Sequence, residues 1–251
     1  MRRLGILASA IALAAASPAA AKTLPKVPPA LDPAKAYILV EYKLLKNPYG
    51  GGLPGSRKNM PLKSGLVFAR YDPALGDIRG MGKARANPLP PGQPAAEGFR
   101  SKPLAKGAGS RLFLIEVEPD TWVVQGFGNT SFSLGSYTFD LAPGSITDLG
   151  VVTAEPDWAE GQDPPDMGSL MKSAFAGPFA KSPDIAPMRA VFRPRAGGDI
   201  PLPAGLPADK VRPVAFAPGA KFGNYLGGLV NKIEGVNAGL RKPHWTSSTN
   251  R

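Results

Sequence analysis

The feature that most limits how this chain can fold is a two-residue alternation of side chains between Arg111 and Val152. In RLFLIEVE (111–118), Phe113, Ile115 and Val117 fall on one side. In 136–141, Tyr137, Phe139 and Leu141 alternate with Ser136, Thr138 and Asp140. Successive side chains of a strand point to opposite faces, so this period predicts strands with one face turned to a core. Pro119-Asp120 and Gly128-Asn129 mark the turns between them. Pro143-Gly144 fits the centre of a type II turn, where Pro sets a negative φ and Gly supplies the positive one. Such a turn splays a tight hairpin, which leaves a looser hairpin or an arch between two sheets.

The pattern extends upstream. In AYILVEYKLL (36–45), Ile38, Val40, Tyr42 and Leu44 share one face while Glu41 and Lys43 share the other. GLVFARYD (65–72) reads as a further strand. Gly 30 and Pro 29 in 251 residues speak against a helical bundle. The expected fold is therefore mainly β, an antiparallel β-sandwich over 36–153. A Pro-rich lead-in over 22–35 precedes it and an acidic linker over 154–168 follows. Residues 169–251 form a basic, Pro/Gly-rich extension, with short strands near 188–193 and 211–217 and short helices expected near 167–176 and 222–237. Residues 47–61 and 80–109 read as long loops.

Residues 1–21 have the three parts of an export signal. Arg2 and Arg3 are followed by the apolar run Leu4–Ala16, and then by small residues ending at Ala21. Cleavage between Ala21 and Lys22 is expected, giving an exported, periplasmic or envelope-associated protein. The apolar run is shorter than a bilayer-spanning helix needs, so the mature protein is expected to carry no transmembrane segment. Cys 0 excludes disulfides, thiolate metal sites and a cysteine nucleophile.

Lys and Arg number 30 against 19 Asp and Glu, a formal net charge of +11. That balance favours anionic partners. For an exported chain these are lipid headgroups, lipopolysaccharide or acidic polymers rather than nucleic acid. The candidate contacts are Arg79, Lys83, Arg85, Arg100, Lys102 and Lys106, most of them in the 80–109 loop.

Catalytic patterns fare poorly. The single histidine, His244, sits in a polar tail, and no nucleophile elbow accompanies it. Ser169-Leu170-Met171-Lys172 matches S-x-x-K, but the K-T-G-like Lys63-Ser64-Gly65 precedes it instead of following. GGGLPGSRK (50–58) lacks phosphate-loop spacing, and Pro54 removes a backbone donor. The acidic run 154–166 has five acids but no calcium-loop spacing. Glu116, Glu118 and Asp120 lie close in sequence and are the carboxylates to test for hydrolysis, with Glu116 and Glu118 expected to face solvent. No motif asks for a cofactor or a metal. Trp122, Phe127, Phe132, Tyr137 and Phe139 are expected in the core.

The passage Phe113–Val152 resembles a family of bacterial exported proteins in which a Y-x-F strand meets a P-G turn and a T-x-L-G strand. The matching residues are Tyr137, Phe139, Pro143, Gly144, Thr147, Leu149 and Gly150. It is similar to envelope proteins and lipoproteins grouped as a domain of unknown function, number 2846, and to exported proteins of alphaproteobacteria. The resemblance implies a small exported β domain over 36–153 and no catalytic residues. Many members are anchored through a lipidated cysteine, which this chain lacks. The resulting expectation is a non-catalytic, envelope-associated binding or structural module. Its alternative is a carboxylate-dependent hydrolase acting on cell-wall or glycan material.

Overall fold

The computed structural model describes residues 22–44, 65–90, 96–98, 102–161, 168 and 186–233. Fifteen strands are found there. They run β1 Lys22–Leu24, β2 Ala36–Lys43, β3 Leu66–Asp72, β4 Asp77–Ile78, β5 Ala96–Gly98, β6 Ala105–Lys106, β7 Ser110–Val117 and β8 Thr121–Phe127. They continue with β9 Thr130–Ser131, β10 Ser136–Asp140, β11 Ile146–Pro156, β12 Met188–Arg193, β13 Val211–Pro213, β14 Ala217–Ala220 and β15 Leu229–Val230. The protein is mainly β.

The strands form two sheets. One has the order β1-β7-β2-β11-β12, with β6 beside β7 and β13 beside β11. The other has the order β14-β10-β8-β3-β4, joined by β5, β9 and β15. The alternating runs sort as the period demands. Phe113, Ile115 and Val117 from the first sheet meet Phe68, Trp122, Tyr137 and Phe139 from the second in one buried cluster. Tyr42 stacks on Phe127 at 5.9 Å, and Tyr137 meets Phe192 edge-on at 6.3 Å, so ring contacts cross between the sheets.

The expectation of purely antiparallel sheets is overturned. β11 runs parallel to β2 and to β13, and β15 runs parallel to β9. The cause lies in the turns. Glu118-Pro119-Asp120 and Pro143-Gly144 each carry the chain from one sheet to the other. β11 thus re-enters the first sheet beside β2 in the same direction. Gly144 has φ 68°, as the type II reading requires, and its N–H donates to the Lys35 carbonyl at 2.6 Å. The turn is an arch, not a hairpin.

A second departure concerns the outer faces. Tyr37 and Leu39 lie opposite the inner face of β2, yet both are buried beneath Leu24 and Leu206, with Val27 and Leu31 packed against them. On the other sheet Tyr71, Ile78 and Val123 are buried with Phe222. Each such side chain removed from water contributes about 1.5–3 kcal/mol. The lead-in and the chain beyond Met188 therefore act as covering layers, with β12 to β15 hydrogen-bonded into the two sheets.

The helix expected over 222–237 is not found in its described part, which holds a turn and β15. Gly227 and Gly228 adopt φ of 70° and 74°, left-handed values that stop a helix. The helix expected over 167–176 lies outside the described residues apart from Gly168. The helical elements wholly within the described residues are two 3-10 turns, Gly82–Ala86 and Ala208–Lys210. No helix among the described residues is long and apolar enough to cross a membrane.

Candidate functional site

The candidate basic residues are placed on different parts of the molecule. Arg79 is spent within the fold. Its Nη2 donates to Asp120 Oδ1 at 3.1 Å and its Nη1 to Asp72 Oδ2 at 3.4 Å, while Arg70 Nε donates to Asp120 Oδ2 at 2.6 Å. Lys83 and Arg85 are exposed on the 3-10 turn that packs on β4 of the second sheet. Lys102 and Lys106 are exposed before and within β6 of the first sheet. No acid among the described residues pairs with these four side chains. Arg100 lies outside the described residues, as do His244, Ser169, Lys172, Lys63, Ser64 and the 50–58 loop.

The 3-10 turn is held by Asp77. Its Oδ2 accepts from the Lys83 N–H at 3.0 Å and the Tyr225 hydroxyl at 2.8 Å, and its Oδ1 accepts from the Ile78 N–H at 2.9 Å. Burial alone would raise the Asp77 pKa. The donors from Lys83, Tyr225, Ile78 and Gly223 outweigh it and hold the carboxyl below the ordinary value. Asp72 is likewise lowered, first by the Asn87 side-chain amide and then by the Leu75 N–H.

The carboxylates singled out for hydrolysis diverge. Glu118 pairs with Lys35, Glu116 accepts from the Tyr37 hydroxyl at 3.2 Å, and Asp120 is held by Arg70 and Arg79. Glu116 and Glu118 are half-buried rather than fully in solvent. In the acidic run, Glu155 and Asp157 pair with Arg189 across β12. Trp122 is buried, and its Nε1 donates to the Glu118 carbonyl at 3.1 Å.

The feature that sequence reasoning missed is a cleft of about 340 Å³ beside β11. Over Ile146–Asp148, one edge of β11 pairs with β13; over Val151–Pro156 the same edge pairs with β12. Between them the register on β2 shifts, and Gly150 takes φ 76°. A Cβ at Gly150 would overlap the Arg193 carbonyl oxygen. The bulge thus opens a gap where two partner strands part.

Leu149, Phe192, Val214 and Phe216 line this gap together with Arg193 and Arg195. Phe216 stacks on Tyr137 at 5.0 Å and meets Phe192 at 5.1 Å, so the lining continues the core. Arg195 Nη1 donates to Glu41 Oε2 at 2.7 Å, while its Nε and Nη2 each reach an Asp148 oxygen at 3.1 Å. Glu41 is buried at 1% exposure and also accepts from the Ile200 N–H at 3.0 Å. Arg193 grips Asp199 through both terminal nitrogens. That grip, aided by the Ala196 N–H, holds the Asp199 carboxyl far below the ordinary carboxylate value against the opposing effect of burial. The T-x-L-G run 147–150 was the available signal, because Gly inside a strand pattern marks a bulge.

No known protein family, curated protein or solved structure matches this chain. The reading of its function rests on the geometry above.

Proposed function

We propose that this chain is an exported, non-catalytic module of the cell envelope, a β-sandwich whose basic surface binds an anionic component such as lipid headgroups, lipopolysaccharide or an acidic polymer. The observation that carries the reading is the sorting of charge. Buried or half-buried acids take up Arg70, Arg79, Arg189, Arg193 and Arg195 in internal ion pairs. Lys83, Arg85, Lys102 and Lys106 stay exposed, with no acid beside them among the described residues. Cations without internal partners are the ones free to meet an external anion.

The same reading covers the resemblance to bacterial envelope proteins and the export signal. The expected mature chain keeps β1, whose Lys22 pairs with Glu116 of the first sheet. Sequencing the exported protein from its N-terminus is expected to give KTLPKV.

The experiment that tests the reading is fractionation of expressing cells, followed by washing the membranes at rising salt. Release only as salt rises supports electrostatic attachment. With Lys83→Glu and Arg85→Glu together, release is expected at lower salt. A protein already soluble at low salt, or one that salt never releases, contradicts it.

A further inference from the structure

The cleft beside β11 goes beyond that reading, because the charges around it balance whereas those of the surface are basic. We propose that it is a binding site for an uncharged apolar group, an alkyl chain or small ring, which enters the gap between β12 and β13 and packs on Phe192 and Phe216.

Size is the first argument. At about 340 Å³ the cleft falls in the range of small-molecule sites, roughly 300–1,000 Å³. Its apolar lining belongs to the core, so a group entering it meets packed rings instead of mobile surface side chains.

The second argument is hydrogen bonding. Part of the backbone around the gap is already satisfied or has nothing to donate. The Gly150 N–H bonds the Asp148 carboxylate at 2.8 Å, and the Asp148 carbonyl accepts from the Val214 N–H at 3.0 Å. Pro194 and Pro213, which also line the cleft, carry no N–H. A peptide strand added here would find few partners for its own backbone, whereas an apolar group needs none.

Charge supplies the third argument. Arg193 is closed on Asp199, and Arg195 on Glu41 and Asp148. Lys43 acts on Asp199 as well. Two guanidiniums and one ammonium thus face three carboxylates. An anion gains no net attraction from this set, and breaking the pairs to reach Arg195 would strand the buried Glu41.

Titration of the full chain with N-phenyl-1-naphthylamine, an uncharged fluorescent probe, tests the site. Saturable binding with one probe per chain is expected, displaced by 1-decanol at least tenfold more effectively than by decanoate. Val214→Trp fills the gap and is expected to weaken probe binding at least tenfold, while Val214→Ala keeps it. In methyl NMR spectra 1-decanol is expected to shift Leu149, Val211 and Val214 and leave the methyls of Ile78 unmoved, a readout that does not depend on the Trp variant folding. Absence of saturable binding overturns the proposal. So does unchanged binding in a folded Val214→Trp variant, equal competition by decanoate, or methyl shifts spread across both sheets.

Discussion

Arg195 joins two strands of the first sheet to the loop that covers them, and its removal is expected to be costly. Arg195→Ala would leave Glu41, at 1% exposure, a buried carboxylate that has lost its ion-pair partner and keeps the Ile200 N–H. Breaking a buried pair in this way costs about 3 kcal/mol or more. Urea unfolding of the variant is expected to show that loss, and Arg195→Lys is expected to restore only part of it, since an ammonium cannot bridge Glu41 and both Asp148 oxygens.

Acid is the second test at this scale. Asp72, Asp77 and Asp199 all have folded pKa values below the ordinary carboxylate value. Their contribution is complete above that value and is lost as pH falls through the depressed folded values. Thermal stability is therefore expected to decline progressively below about pH 4. Asp199→Asn is expected to be less stable at neutral pH and to show a shallower decline in acid, and an equally steep decline would contradict the assignment. None of these partnerships is legible in sequence. Glu41 and Arg195 stand 154 positions apart, and the face of β2 carrying Glu41 is covered by chain that the alternation pattern says nothing about.

Among the elements, the long strands could be read from period two. β2, β7 and β10 contain alternation that places their inner residues correctly. The short strands were harder to read. β1, β4, β6, β9 and β15 have two or three residues each, too few for any period. β14 reads APGA, a composition that argues against a strand and is tolerated here at a sheet edge. The parallel pairing of β2 with β11 was also hidden, because strand direction depends on the two arches and not on the residues of either strand.

The chain from Met188 onward supplies Met188, Ala190, Phe192 and Ile233 to the main core, with Phe216 packed against it. A chain ending at residue 186 is accordingly expected to lose cooperative thermal unfolding. Phe216→Ala, which removes the ring stacked on Tyr137, is expected to cost about 3 kcal/mol. A truncated chain that melts sharply near the full-length temperature would show the first 186 residues to be self-sufficient.

Over the whole molecule, two physical choices separate. Internal acids neutralise mainly arginines, whose planar forks hold two oxygens at once, and leave lysines at the surface. The overall charge of +11 was plain in the sequence, but which cations remain free was not. Arg79, for example, reads as a loop cation and is instead bound to Asp72 and Asp120. Nor could the cleft be anticipated as a cavity, since it exists only where two distant segments part along β11.

Co-sedimentation of the purified protein with lipid vesicles tests the proposed attraction to an anionic surface. The protein is expected to sediment with phosphatidylglycerol-containing vesicles at about 0.01 M salt and to be released near 0.5 M, where the screening length falls to a few ångströms. Pure phosphatidylcholine vesicles are expected to leave it in solution. Equal binding to both vesicle types, or binding indifferent to salt, would contradict the account.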